Sequence, residues 1–143
     1  MHRSIRSSNR GQALVEFALG VTIFLVLIMG VFDFGRGIYM FNGVSQAARE
    51  IARVTSVHPG TDPTLKASWS TQMTDVVNTQ KKLIPNLQDP TIQCLQIDGV
   101  TPAPCLPGNF VQVTIVAPYR AVTPLLGLLG TWNMKSVSLV QIQ

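Results

Sequence analysis

The fold is decided by the stretch RGQALVEFALGVTIFLVLIMGVF, residues 10–32, in which a short basic leader gives way to a long apolar segment. Between Phe17 and Phe32 the only side chain with a hydrogen-bonding group is Thr22. As an α-helix, about twenty apolar residues starting at Gln12 would cross the roughly 30 Å hydrocarbon core of a bilayer. The sequence therefore predicts a membrane protein with one spanning segment, in contact with the lipid bilayer.

The residues on either side of this segment indicate its orientation. The apolar run is longer than the roughly 7 to 15 residues of a secretory signal peptide, and no small-x-small cleavage site follows it. Arginines flank the segment in equal number: Arg3, Arg6 and Arg10 before it, and Arg36, Arg49 and Arg53 after it. Because the leader is denser in charge, we expect residues 1–11 to stay on the cytoplasmic side.

Glu16 is the only charged side chain within the apolar segment. A carboxylate toward the middle of a bilayer is unfavourable by roughly 2.5 to 3.5 kcal/mol, and by less near the interface. This cost indicates that Glu16 has a specific role. The alternative is an acid that merely faces the lipid headgroups.

Several motifs together resemble a known family. Gly11 is followed by four residues and then by Glu16 and Phe17, and this G-x-x-x-x-E-F pattern resembles the processing site of type IV prepilins. Four stretches are similar to the TadE-like family of pseudopilins, which accompany the tight-adherence (Flp) pilus machinery: RGQALVEFAL, Asp33 to Arg36, SQAAREIAR at 45–53 and PLLGLLG at 124–130. The similarity is strongest over residues 10–53.

The resemblance implies a function and its partners. A prepilin peptidase would cut between Gly11 and Gln12, and Glu16 would pair with the new amine of Gln12 in a neighbouring subunit, with Phe17 in the same assembly motif. The protein would be a minor pilin or pseudopilin in the cytoplasmic membrane, with its N-terminus inside and its C-terminal part exported, and could be incorporated in a pilus. Its partners would be that peptidase, other pilins or pseudopilins and the pilus assembly platform.

An uncleaved, single-pass, membrane-anchored binding module is the alternative function. In that case the helix is only a tether, and the exported part recognises a soluble or envelope ligand. Gly11 and Glu16 discriminate between the two functions, because a tether needs neither residue whereas a processed subunit needs both.

Composition argues against other classes of function. Three of the eleven Lys and Arg residues lie in the leader, and the other eight nearly balance the seven acids. No basic stripe is left to follow a nucleic-acid backbone. Because no nucleophile with a base, pair of acids or metal cluster is visible, we expect no enzyme, no cofactor and no small-molecule substrate.

Cys94 and Cys105 are the only two cysteines, and both follow the membrane segment. In an oxidising compartment, a lone pair across a short loop is predicted to form a disulfide, which would stabilise the fold by about 2 to 3 kcal/mol. Two free thiols are the alternative. A metal site is not expected, since His58 is distant in sequence and no C-x-x-C spacing occurs.

Helical spacing continues beyond the membrane segment. Apolar residues recur every three or four positions: Phe34, Ile38, Phe41, Val44, Ala48 and Ile51. The pattern predicts an amphipathic stem that continues the membrane helix, so that one helix runs from about Gln12 to Val57 over roughly 70 Å. His58-Pro59-Gly60 would end it, because the residue before a proline disfavours helix and glycine terminates it.

The remaining residues predict a small α+β domain. Asp62-Pro63 is typical of an N-cap followed by proline at the first helical position, and apolar residues at helical spacing predict a second helix that continues up to Pro85. Alternating segments predict three antiparallel strands at residues 91–97, 110–119 and 132–142, with Val111, Val113, Ile115 and Ala117 on one face.

The predicted fold class is therefore α+β and pilin-like. Residues 1–11 would be the leader, residues 12–57 the transmembrane helix and stem, and residues 58–143 the exported domain. Trp69 and Trp132 are expected to be core anchors. The apolar residues 124–130 are expected either to be buried in the domain or to form an exposed docking patch.

Overall fold

The computed structural model of the chain describes residues 9–123, 127–128 and 130–143, with the side chains from Gly11 onward. Its elements are α1 (Asn9–Val57), a single 3₁₀ turn (Lys66–Ser68), α2 (Thr71–Leu83), β1 (Thr91–Leu95), β2 (Phe110–Arg120) and β3 (Thr131–Gln141). The three strands form one antiparallel sheet in the order β1-β2-β3. The predicted fold is confirmed: a long N-terminal apolar helix, then one further helix and a three-stranded antiparallel sheet.

Helix α1 is a single element of 49 residues, which corresponds to about 73 Å. No proline interrupts it, and its last turn is closed by the His58 N–H, which donates to the carbonyl of Val54 at 2.8 Å. Pro59 and Gly60 then turn the chain. Gly60 has φ +75°, and a side chain there would clash with the backbone carbonyl of Ser68, so glycine is required at this position.

The core lies between the end of α1 and the sheet. Alternate residues of β2 point toward α1 and are fully buried: Val111, Val113, Ile115 and Ala117. Helix α1 meets them with Val44, Ala47, Ala48, Ile51 and Ala52, also buried. The three alanines allow the helix backbone to approach the sheet closely, and α2 closes the side of this core with Met73 and Val77. We call α2, the sheet and residues 44–57 of α1 the globular part.

The apolar face predicted for the stem is only half buried. Val44, Ala48 and Ile51 lie in the core, but Phe34, Ile38 and Phe41 remain exposed, Phe34 at 72%. On the N-terminal side of Val44, only the ends of β2 and β3 lie beside α1. Phe34, Ile38 and Phe41 therefore line an open groove instead of a closed interface. The spacing of apolar residues in the sequence identifies the apolar face of a helix, but it does not show how much of that face another element covers.

Helix α2 begins later than predicted. The prediction of an N-cap at Asp62 and a first helical position at Pro63 is wrong, because the helix starts at Thr71 and its N-cap is Ser70, whose Oγ accepts from the Met73 N–H at 3.2 Å. Asp62 instead caps a tight turn, accepting from the Thr64 N–H at 2.9 Å. The Ser70 hydroxyl also donates to the His58 carbonyl at 2.7 Å, which fixes the start of α2 against the end of α1.

The tryptophans differ in their surroundings. Trp69 packs against the core, and its indole N–H donates to the Pro63 carbonyl at 2.9 Å, as expected of an anchor. The prediction that Trp132 is a core anchor is wrong, because its side chain is 48% exposed. Trp132 lies at the start of β3, beyond the end of the core.

The two alternatives for residues 124–130, burial in the domain or an exposed docking patch, depend on positions 124–126 and 129, which lie outside the described residues.

The strands match their predicted bounds to within one residue, except at the end of β1, which stops at Leu95 and not at residue 97. A tight turn follows, in which the Gln96 N–H donates to the Thr101 carbonyl at 2.7 Å. The Asp98 carboxylate accepts from the Thr101 hydroxyl and from the backbone N–H groups of Val100 and Thr101, which lowers the pKa of Asp98 below its usual value. These local bonds replace the strand pairing that the alternating pattern predicted.

Truncating Ile51 is expected to destabilise the globular part strongly. Its side chain is among the largest that are fully buried, and removal of a buried isoleucine side chain costs about 2 to 5 kcal/mol. Thermal unfolding of Ile51→Ala in detergent micelles, followed by circular dichroism, measures the loss. Leu83→Ala is the matched control, because Leu83 is exposed and its change should stay within about 0.5 kcal/mol. Equal unfolding temperatures for the two variants would contradict the packing described above.

Candidate functional site

The residues predicted to act in processing and assembly lie together at the start of α1. Gly11, Gln12, Glu16 and Phe17 are all helical and exposed. A Cβ built on Gly11 meets no atom of the described residues within 4 Å, so the described part of the fold does not require glycine at this position. A requirement for glycine at residue 11, if an experiment finds one, would therefore come from a partner and not from folding.

Gln12 and Glu16 are in direct contact. They lie four residues apart on one face of the helix, and the Gln12 side-chain amide donates to Glu16 Oε1 at 3.1 Å. This bond satisfies only part of the acceptor capacity of a carboxylate, which can accept about four hydrogen bonds. Glu16 therefore retains the capacity to accept from a donor on another molecule.

The surface around Glu16 is apolar and uncovered. Among the described residues, α1 is the one helix long and apolar enough to cross a membrane, with a mean hydropathy of 2.5 in its most apolar window and none of that window buried within the protein. An apolar surface of this length is not stable in water. It needs hydrocarbon or other apolar helices around it, and we take residues 12–32, about 31 Å in length, as the spanning segment.

Asp33 is the buried polar residue whose contacts sequence reasoning missed. It is the first polar residue after the spanning segment, yet its side chain is buried, at 6% exposure. Its carboxylate accepts from the Val122 N–H at 3.0 Å, from the Thr123 N–H at 2.8 Å and from the Thr123 hydroxyl. One side chain at the membrane boundary thus binds the segment that follows β2.

Tyr119 strengthens the same junction. Its hydroxyl donates to the backbone carbonyl of Asp33 at 2.8 Å, and the guanidinium of Arg36 lies 5.7 Å from the centre of its ring, within range of a cation–π contact. We call Asp33, Tyr119 and Thr123 the junction cluster. The sequence signal for this cluster was a single acid, Asp33, directly after an apolar run. The partners of Asp33 lie nearly ninety residues away in the chain, so residue spacing alone could not reveal them.

Cys94 and Cys105 form a disulfide in the structure, with their Cα atoms 5.2 Å apart. The bond joins β1 to the loop that leads into β2, and the Ala103 N–H donates to the Cys94 carbonyl at 2.9 Å beside it. The disulfide lies in the globular part, remote from Gly11 and Glu16. Across the described part of the chain, no three His, Cys, Asp or Glu side chains are grouped in a way that could hold a metal ion.

Replacing Asp33 by asparagine is expected to loosen the segment after β2. The amide has one acceptor oxygen and would turn an N–H group toward the donors of residues 122 and 123, and a lost hydrogen bond to a charged group costs about 1.5 to 3 kcal/mol. Hydrogen exchange, followed by mass spectrometry of peptides covering Val122 and Thr123, should become faster in Asp33→Asn. Asp75→Asn, an exposed acid on α2, is the control, and equal exchange in both variants would contradict this role.

Comparison with known proteins finds a family match within helix α1. The family model of TadE-like proteins matches residues 11–53, which is under a third of the 143 residues and lies entirely within α1. No curated protein and no solved structure matches the chain. Residues 11–53 are thus a TadE-like segment, which confirms the family resemblance predicted from the sequence.

Proposed function

We propose that this protein is a minor pilin or pseudopilin of a tight-adherence (Flp) pilus or a related secretion apparatus, and that a prepilin peptidase cuts it after Gly11. The observation that carries the proposal is the TadE-like match, which begins at Gly11 and includes Glu16 and Phe17. Residues 1–11 would be the leader, residues 12–57 the transmembrane helix and stem, and residues 58–143 the exported domain.

The disulfide supports export of the globular part. Structural disulfides persist in oxidising compartments and are rare in the cytosol. Cys94 and Cys105 are bonded and lie on the C-terminal side of the spanning segment. This supports a leader that stays in the cytoplasm and a globular part outside the cytoplasmic membrane, in agreement with the denser charge of the leader.

The contact between Gln12 and Glu16 supports a role in assembly. In the uncut chain the neutral amide of Gln12 occupies one oxygen of Glu16. Cleavage would create a charged amine on residue 12. In hydrocarbon, an amine from a neighbouring subunit would be a stronger partner for Glu16 than a neutral amide, because a charge-assisted hydrogen bond is about twice as strong as a neutral one.

The proposed action is therefore mechanical and not catalytic. The exposed half of α1 would pack among the helices of other pilins or pseudopilins and the assembly platform, while the junction cluster holds the globular part against the end of the spanning segment. The uncleaved, membrane-anchored binding module is the competing function. It would use the same helix and junction but would need neither Gly11 nor Glu16.

Replacing Gly11 by leucine is expected to block processing without disturbing the fold. The position is open, so the larger side chain can be accommodated by the protein itself. N-terminal sequencing and intact mass of protein from membranes, with and without a prepilin peptidase, should show wild-type chains that begin at Gln12 only when the peptidase is present, whereas Gly11→Leu keeps its leader.

Gly20→Leu is the matched control for this experiment, because Gly20 is equally open, lies on the same helix and should leave cleavage unchanged. Wild-type chains that begin at Met1 in both strains would overturn the processed function. That result would favour the membrane-anchored binding module.

Replacing Glu16 by glutamine is expected to separate processing from assembly. The substitution keeps the shape of the side chain and removes the charge that would pair with an amine, so cleavage should proceed while most of the assembled protein is lost. Crosslinking in membranes and recovery in sheared filaments measure assembly. Glu50→Gln, an acid of the stem that pairs with Arg53 on its own helix, is the control. Normal assembly of Glu16→Gln would show that the pairing hypothesis is wrong.

A further inference from the structure

The chain between β2 and β3 lies at the end of the sheet that is nearest the spanning segment. Close to the end of β2, the Tyr119 hydroxyl donates to the Asp33 carbonyl at 2.8 Å. At the opposite end of the sheet, just after β3, the Gln143 N–H donates to the Ser56 carbonyl at 3.2 Å. The sheet therefore runs alongside α1 from residue 33 to residue 56. We give the name β2–β3 connection to the described residues that link the two strands: 121–123, 127–128 and 130.

Hydrogen bonds hold this connection against the residue that ends the spanning segment. The Asp33 carboxylate accepts from the Val122 N–H at 3.0 Å and from the Thr123 N–H at 2.8 Å. The Gly127 N–H donates in turn to the Thr123 carbonyl at 2.7 Å. With residues 12–32 in the hydrocarbon core, Asp33 lies only about 1.5 Å beyond it along the helix axis. The connection therefore lies at the boundary between hydrocarbon and headgroups.

The chain in this region carries no charge. Residues 121–134 include no Lys, Arg, His, Asp or Glu, and the nearest charged residues on either side are Arg120 and Lys135. The hydroxyl of Thr123 is already bound to Asp33. Transfer of charged side chains is the main cost of placing a segment in a bilayer, and this stretch would not incur it.

Three large apolar side chains of this region are exposed. Val122 is 71% exposed and Leu128 85%, and Trp132, at the start of β3, is 48% exposed. Single exposed apolar residues are ordinary on a protein surface. These three, however, belong to one short stretch beside the end of the spanning segment, and tryptophan is enriched where membrane and water meet. Their position therefore gives their exposure a physical reason.

The turn that follows β1 shows that exposure alone does not single out the connection. Ile97 and Val100 are each 77% exposed. This turn contains the charged Asp98, however, and follows Leu95, which pairs with Phe110 at the start of β2. The eleven residues of β2 span about 36 Å. The turn thus lies at the far end of the sheet, away from the spanning segment.

We propose that Val122, Leu128 and Trp132 insert into the leaflet at the C-terminal end of the spanning segment and contact the acyl chains next to the headgroups. Position favours lipid over a second copy of the chain as the partner. Because the connection is bonded to Asp33, insertion of α1 alone brings it to the bilayer. The globular part then has a second attachment to the membrane besides α1. The inference rests on α1 spanning a membrane, as the proposed function requires, but does not depend on cleavage after Gly11.

Fluorescent labels on single introduced cysteines test this contact. The two native cysteines are bonded to each other, so an added cysteine can be labelled alone with an environment-sensitive nitrobenzoxadiazole group. Leu128→Cys reports on the connection, and Val100→Cys is the matched control, since it is similarly exposed at the far end of the sheet. Gly20→Cys marks the spanning segment, where an added Cβ meets no atom of the described residues.

Each labelled full-length protein is reconstituted in phosphatidylcholine vesicles, at less than one protein per vesicle. Bromine on the acyl chains quenches a label in contact with lipid, and iodide in the buffer quenches a label in contact with water. The label at residue 128 should lose most of its emission to bromine near the glycerol and be quenched several-fold less by iodide than the label at residue 100. The label at residue 20 should be quenched most by bromine near the terminal methyl.

Two results would overturn the proposal while leaving the spanning helix in place. One is equal quenching by iodide at residues 128 and 100. The other is a label at residue 128 that is shielded from iodide but not quenched by bromine, which would mean that protein, including a second copy of the chain, covers the connection. A label at residue 20 that bromine does not quench would overturn the spanning helix, and with it both this inference and the proposed function.

Trp132 provides a second measurement without an added label. In Trp69→Phe it is the only tryptophan left. Adding Leu128→Asp should reduce the quenching of Trp132 by bromine near the glycerol, because a carboxylate is unfavourable in hydrocarbon. Adding Val100→Asp is the control and should leave the quenching unchanged. Equal quenching of Trp132 in the two variants would contradict insertion of the connection. Neither measurement depends on cleavage or filament assembly.

Discussion

Close packing of α1 against β2 is the interaction on which the rest of the structure depends. A sheet with one apolar face must bury that face against another element, and the end of α1 is the element that covers it here. Ala47, Ala48 and Ala52 allow that approach, while Ile51 fills the space against the alternating side chains of β2. The same helix that is exposed to the membrane at one end is therefore the centre of the core at the other.

The apolar segment and the helix face that packs on the sheet belong to one continuous element, α1. The junction cluster adds a second attachment, through Asp33 and Tyr119, directly at the end of the apolar segment. A buried carboxylate with three donors is a rigid attachment, because loss of any donor leaves charge without compensation.

The N-terminal half of α1 is exposed, whereas the part after residue 33 packs partly against the sheet. Toward the N-terminus, Glu16 and its apolar neighbours are exposed, and no described residue of the globular part covers them. Near residue 33 the helix turns one face to the sheet and leaves another open as the groove.

Smaller contacts complete the globular part. For example, Asp89 binds Lys66 and Lys81 and so ties the 3₁₀ turn to the end of α2, and these bonds lower the pKa of Asp89 below its usual value.

The sequence alone determined the elements whose signal is local. The apolar run, the helical spacing to Val57 and the alternation along β2 predicted the long helix and the antiparallel sheet, because burial of a regular element imposes its own period on the chain. The same reasoning placed Glu16 within the apolar segment and identified the two cysteines as a pair.

Only the tertiary structure decided the features that depend on contacts between distant residues. The start of α2, predicted at Pro63, lies at Thr71, where the N-cap Ser70 donates to the His58 carbonyl just after α1. Trp132 proved exposed because β3 extends past the core. Asp33 acquired its role from donors at Val122 and Thr123, and the groove exists because helix and sheet diverge below Ser45. Such contacts leave no periodic pattern in the sequence, since they depend on where two elements happen to end relative to each other.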